Sequence, residues 1–137
     1  MNVLLLPIRP EYIRRILAGE KRYEYRTRLC KEPVKTVLLY ETSPTKRIVG
    51  EARVNGTLSL PKETLWQETK AYAGIRHEDY ERYFKRSSIA HAYVLGSVKP
   101  YPKPVSLETA EFQQAPQSFA YIRDSHVLDS IRTAAEV

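Results

Sequence analysis

The side chains best suited to chemistry crowd into one short stretch, Gly19-Glu20-Lys21-Arg22-Tyr23-Glu24-Tyr25-Arg26. Lysine and arginine there can pair a phosphate or the acceptor edge of a base, and Glu24 can accept from a base amino group. The same residues also suit an exposed charged strand laced by cross-strand ion pairs, so the stretch by itself leaves both readings open. Strand alternation puts Glu24 and Arg26 on one face and Lys21 on the other, unless the chain is still turning at Lys21. The expected ion pair is Lys21–Glu24 or Glu24–Arg26, and on that parity it is Glu24–Arg26, with Lys21 left for a ligand. A carboxylate near an ammonium favours its charged form, which makes Lys21 an electrostatic clamp rather than a general base. Tyr25 and Tyr40 are kept as stacking candidates, because rings beside basic groups hold bases by their π faces. Most of the 10 tyrosines are expected in the core or at its rim with a wetted hydroxyl.

Other chemistries find no support. His77, His91 and His126 lie far apart in the chain, with no His-Glu-x-x-His pair and no paired cysteines, so no metal is expected. A catalytic thiol needs a positioned histidine. None lies near Cys30, which reads as a passive thiol. There is no phosphate-cradling glycine loop and no Gly-x-Ser-x-Gly turn.

The elements that must position the charged stretch follow from periodicity. Residues 2–8 are a short apolar run that reads as a buried strand. Pro10 suits the first turn of a helix, Ile13, Ile16 and Leu17 share its face, and Gly19 ends it. Residues 21–28 alternate as a strand, 34–41 form a second, and 42–45 turn by composition. Residues 47–58 give a long strand in which Gly50 and Gly56 mark bulges. Helices are expected over 61–73 and 77–84, with Gly74 between them. A strand follows over 91–101, and Pro100, Pro102 and Pro104 then lay the chain out as an extended, irregular edge. A short strand near 119–122 and a helix over 125–135 complete the order. The class is α+β, with a small barrel and helices outside it.

Composition bounds the rest. The 137 residues carry 22 Lys+Arg and 16 Asp+Glu, for a formal net charge of +6 and a pI near 9.5. That length suits one domain. One cysteine rules out a disulfide framework. No apolar run approaches the ~18 residues of a membrane span, and the first residues are too short and too poor in charge for a signal peptide. A cytoplasmic protein without a membrane partner is expected. Residues 1–53 hold 12 basic and 6 acidic side chains, whereas residues 105–137 hold 2 and 5. A basic N-terminal part favours phosphates.

With Gly19, Lys21, Glu24 and Arg26 in place, the sequence resembles the ASCH family of PUA-like barrels, whose hallmark is Gly-x-Lys-x-x-Glu-x-Arg after a first strand and helix. The resemblance extends through residues 3–12, Tyr40-Glu41-Thr42-Ser43-Pro44, Ile48-Val49-Gly50-Glu51 and Ala115-Pro116-Gln117-Ser118-Phe119. It implies an ASCH domain over residues 1–122, with residues 123–137 as a helical extension. It also implies a five- or six-stranded barrel with flanking short helices. A cleft beside the first helix would bind RNA, a nucleotide or a modified nucleoside, without a cofactor. Lys21, Glu24 and Arg26 are its implied lining, joined by Tyr25, Tyr40, Ser43, Gln117 and Ser118.

Two further readings stand beside binding. Some relatives resemble N4-acetylcytidine amidohydrolases, which use a lysine, a threonine three residues on and a later glutamate. Here Lys21 matches, Glu24 replaces the threonine, and Glu78 is the acid nearest the third position. Others are linked to cleavage of single-stranded RNA, for which Lys21 and Glu24 would be the catalytic pair. A transcription-related interaction module would instead expose an apolar patch, for example Val127, Leu128 and Ile131.

Overall fold

In chain order the computed structural model has β1 (Val3–Ile8), α1 (Pro10–Leu17), β2 (Tyr23–Arg26), β3 (Thr36–Glu41), β4 (Arg47–Pro61) and α2 (Lys62–Thr69). A 3-10 turn (Lys70–Tyr72), α3 (His77–Tyr83), β5 (Ile89–Val105), β6 (Ala120–Ile122) and α4 (Ser125–Ala135) follow. The structure describes residues 2–136; Met1 and Val137, the outer ends of the two segments expected from the sequence, lie outside them.

The strands form one mixed sheet in the order β2-β5-β4-β3-β1-β6. Among the described residues β1 and β3 alone run parallel; β1–β6, β2–β5, β3–β4 and β4–β5 are antiparallel. The expected barrel does not close, because β2 and β6 are edges without a ladder between them. The sheet curls instead until the two edges approach. There Arg26 of β2 donates to the carbonyls of Pro7, in β1, and Ser118, just before β6. A side chain thus bridges a seam that backbone pairing leaves open.

Alternation sorts the core. Leu4, Leu6 and Ile8 of β1 and Val37 and Leu39 of β3 pack against Ile13 and Ile16 of α1. Their neighbours Val3, Leu5, Leu38 and Tyr40 face the other way, onto Val127, Leu128 and Ile131 of α4. A third cluster joins Tyr25 of β2 and Ala90 and Ala92 of β5 to Leu65 of α2 and Tyr80 and Phe84 of α3. The apolar face of α4 is therefore covered by the sheet, not offered to a partner. Glu51 of β4 ties that helix down. Burial raises its pKa, but donors from Arg132 and Tyr101 more than offset this and hold it below the usual carboxylate range.

Two of the three register shifts of β4 against β5 end on the glycines, between Ile48 and Gly50 and between Val54 and Gly56, and the third lies between Ala52 and Val54. A Cβ on Gly50 would stand 2.8 Å from the Lys99 carbonyl oxygen, so only glycine lets β5 pass there. The prolines of β5 do not end the strand, as their density suggests; it runs to Val105. Past Val94 its second neighbour β2 has ended. Between Pro100 and Val105 the pairing to β4 skips, from Gly50 opposite Pro100 to Ile48 opposite Val105, and the prolines, which cannot donate to a ladder, fall in that stretch.

α4 starts on Asp124, whose carboxylate accepts from the His126 backbone N–H at 2.8 Å. Replacing Asp124 by Ala is expected to lower stability by about 1 kcal/mol, the usual worth of such a cap. Chemical denaturation with the midpoint read by circular dichroism checks it.

Candidate functional site

A cleft of about 840 Å³ follows the seam of the sheet. β1 and α1 give Pro7, Ile8, Arg9, Glu11 and Tyr12; the α1–β2 junction and β2 give Lys21, Glu24, Tyr25 and Arg26. Thr27 and Arg28 continue one rim. Asp79, Arg82 and Tyr83 of α3 form the far wall, and Gln117, Ser118 and Phe119 close the end. Five basic side chains meet three carboxylates there. Arg9, Arg28 and Arg82 are exposed at the rim, while Lys21 and Glu24 are buried at 3% and 7% exposure. Outer cations over a buried floor suit a chain of phosphates that delivers one unit inward.

Lys21 reaches the floor through the end of α1. Gly19 takes φ +79°, and the Arg15 carbonyl accepts from the N–H groups of Glu20 and Lys21. That reversal turns the chain before β2 begins, so the strand parity that separates Lys21 from Glu24 does not apply and both line the cleft. The Lys21 ammonium donates to the Ala73 carbonyl at 2.7 Å. It lies 4.7 Å from the ring centre of Tyr25 and 5.4 Å from that of Tyr12. Both ring faces attract the cation, and two of its three donors are left over.

Burial lowers the Lys21 pKa from 10.5 to about 8; Glu24 acts against the shift, and Arg15 and Arg26 reinforce it. Desolvation outweighs the carboxylate, so the charge is held less firmly than Glu24 alone would hold it, while below pH 8 the amine stays mostly protonated. An amine near 8 can give or take a proton close to neutral pH.

The Glu24–Arg26 pair forms as parity requires. Arg26 Nη2 stands 2.9 Å from Glu24 Oε2, and Nε donates to the same oxygen at 3.0 Å. With Pro7 and Ser118 also served, the guanidinium has little left for a ligand. Glu24 lines the cleft, and its Oε1 makes no hydrogen bond among the described residues, the pair to Arg26 using Oε2.

Tyr25 turns its hydroxyl inward, 2.6 Å from Thr69 Oγ1. Burial pushes its pKa up to about 12. It offers a ring and no acid. Gln117 and Ser118 lie at the cleft mouth, exposed. Tyr40 and Ser43 are not brought in. Tyr40 is buried on the α4 side of the sheet, and Ser43 sits in the exposed β3–β4 turn. Sequence reasoning missed Arg9, Tyr12, Asp79, Arg82 and Tyr83. Only Arg9 and Tyr12, flanking the start of α1, lay near enough in the chain to suggest themselves.

Glu78, the acid nearest the amidohydrolase position, points to solvent and pairs with Arg76 at 2.6 Å; Asp79 is the α3 acid that lines the cleft. The three histidines stay apart, yet Glu63, His77 and Glu81 hold ligand atoms within 4.8 Å of one another on the outer surface of α2 and α3. Spacing between histidines alone could not show that. No helix among the described residues is long and apolar enough to cross a membrane.

Comparison with known proteins places this geometry in context. The model of the ASCH domain family matches residues 6–101. A protein of Zymomonas mobilis named ASCH domain-containing ribonuclease is 26% identical over 134 residues, 93% of this chain and 89% of its own. The crystal structure of ASCH from Zymomonas mobilis superposes with a TM-score of 0.85 at 26% identity, covering 94% of both chains. A point mutant of the Zymomonas protein gives 0.83 at 24% identity, covering 93% of this chain and 94% of its own.

Proposed function

Since the chain belongs to the ASCH domain family, we propose that its cleft binds single-stranded RNA and promotes cleavage of the strand. The observation that carries this reading is Lys21, an amine of pKa about 8 at the floor of an arginine-rimmed cleft. The name of the Zymomonas relative supports it. Arg9, Arg28 and Arg82 hold phosphates at the rim, and the rings of Tyr12 and Tyr83 accept bases by stacking. A duplex cannot splay its bases onto such walls, which favours a single strand.

Cleavage by the RNA's own 2′-hydroxyl needs three services. A proton leaves O2′ as the O2′–P bond forms. Negative charge on the phosphoryl oxygens is balanced. A proton reaches O5′ as the P–O5′ bond breaks, leaving a 2′,3′-cyclic phosphate and a 5′-hydroxyl. Protonated Lys21 balances the charge and supplies the proton to O5′. Glu24 Oε1 is placed to take the proton from O2′. Hydrolysis of N4-acetylcytidine draws less support, because position 24 holds a paired carboxylate and Glu78 points to solvent.

The test is a 5′-labelled single-stranded RNA incubated with the protein and resolved on a denaturing gel, beside the duplex and DNA of the same sequence. Cleavage of the single RNA strand alone, with a cyclic phosphate at the new 3′ end, is expected. Absence of RNA cleavage at low salt would overturn the cleavage reading, and absence of binding as well would overturn the whole of it. Affinity should also fall steeply with salt. Arg9→Ala and Arg28→Ala should each flatten the log–log salt slope by about 0.7, the single-strand value per phosphate released. Fluorescence anisotropy over a salt series reads this directly.

A further inference from the structure

We infer that Gly74, in the α2–α3 turn, is a positioning residue for Lys21: the space left by its missing side chain seats the lysine stem on the cleft floor. A Cβ built on Gly74 would collide with Lys21 Cβ and stand 2.6 Å from Cγ and 2.9 Å from Cδ. Real Cβ contacts are never that close, and three successive stem carbons cannot all give way while the amine stays put. The turn holds the same lysine by its backbone. Ala73 O accepts from Lys21 Nζ at 2.7 Å, Gly74 O accepts from Arg15 Nη1 at 2.8 Å, and Tyr72 O accepts from the Arg22 N–H at 2.9 Å. The α2–α3 turn is thus docked onto the α1–β2 junction through three carbonyls, with the lysine stem clamped under the glycine.

The inference deepens the proposed reading, in which Lys21 handles a proton. The groups facing Lys21 are Tyr12 and Arg15 of α1 and Glu24, Tyr25 and Arg26 of β2; Asp79 of α3 lines the same cleft. A Cβ on Gly74 meets the Lys21 stem first, its three nearest atoms all being carbons of that stem. A displaced amine meets water, and its titration returns toward the ordinary lysine value.

Gly74 has φ +61°, so Gly74→Ala adds backbone strain to the collision. Gly74→Asn separates the two, because asparagine tolerates left-handed backbone and still carries a Cβ. Gly19 supplies the control. It has φ +79° and nothing within 4 Å of a built Cβ, so Gly19→Asn repeats the conformational demand without the collision.

The experiment is NMR titration of Lys21 in lysine-labelled protein, with RNA cleavage measured beside it. In Gly74→Asn the Lys21 midpoint is expected to rise from about 8 toward 10.5, with cleavage falling at least about tenfold through loss of the placed proton donor. Gly19→Asn is expected to leave the midpoint unchanged. A folded Gly74→Asn protein with the wild-type Lys21 midpoint would overturn the inference, as would an equal shift in Gly19→Asn. If the midpoint moves as expected but the wild-type protein cleaves no RNA, the proposed reaction fails and the role of Gly74 stands.

Discussion

Replacing Arg26 by alanine is expected to destabilise the fold by about 3 kcal/mol, the lower end of the cost of orphaning one member of a buried ion pair. Arg26 and Glu24 are 15% and 10% exposed along their side chains, so Glu24 would lose its ion-paired guanidinium in a largely dry place. The Pro7 and Ser118 carbonyls would lose their donors in the same step. Those two bonds cross the open seam of the sheet, where no ladder holds the edges together, and their loss lets segment 117–119 swing from the cleft. Urea unfolding followed through Trp66, the one tryptophan, measures the effect. Arg26→Lys keeps the charge without the planar fork and should lose an intermediate amount. Removing Glu24 as well should restore part of the loss, since no charge is then stranded. A loss below about 1 kcal/mol in Arg26→Ala would show that the seam is held by other contacts. It follows that replacing Lys21 and Arg26 together is a poor test of binding, because the arginine's main duty is to the fold.

The contrast between these two residues shows what was legible in the sequence. The helix over 10–18 was readable because Pro10 and Gly19 bracket a clean helical face, and Glu24–Arg26 because strand parity is a local rule. The helix over 125–135 was readable because Val127, Leu128 and Ile131 fall at helical spacing, whereas its cap at Asp124 emerged only in the structure. Strand order was not readable. Arg26 finds its partners 19 and 92 residues away, and only the curl of the sheet brings them together. Closure into a barrel was expected from the order of elements and from the family resemblance, neither of which says whether the first and last edges of this sheet pair. Tyr40 misled because β3 is buried on both faces, so alternation there carries no distinction between inside and outside. Asp79, Arg82 and Tyr83 reach the cleft from a helix whose sequence reads as an ordinary charged surface. The burial of Lys21 depends on Ala73 and Gly74, more than 50 residues on, and no pattern around the lysine announces it.

That burial sets the second large effect. Lys21 titrates near 8 in the folded chain against 10.5 ordinarily. Between those values the unfolded chain keeps a proton that the folded chain has released, so stability climbs as pH rises through this window. Below it the folded state bears the whole cost of holding the charge, on the order of 3 kcal/mol. Tyr25 acts in the opposite sense at higher pH. Its folded pKa of about 12 exceeds the ordinary 10.0, so above pH 10 the unfolded chain gains by ionising and stability falls. The rise due to Lys21 is therefore seen between roughly pH 8 and 10. Lys21→Met keeps the length of the stem and removes the charge. It should be more stable than the wild type at pH 7 by about 2 kcal/mol, less than the full cost because the Ala73 carbonyl loses its donor. Its stability should no longer climb between pH 8 and 10. RNA cleavage should drop by about 10²–10⁴-fold, the usual contribution of a placed proton donor. Denaturation midpoints across pH and single-turnover cleavage, measured on the same preparations, check both halves. A Lys21→Met protein less stable than the wild type at pH 7 would mean that the amine is not held against its solvation preference. Undiminished cleavage would remove it from the reaction. A gain in stability joined to a loss of cleavage is the signature of a side chain kept for its chemistry at the expense of the fold.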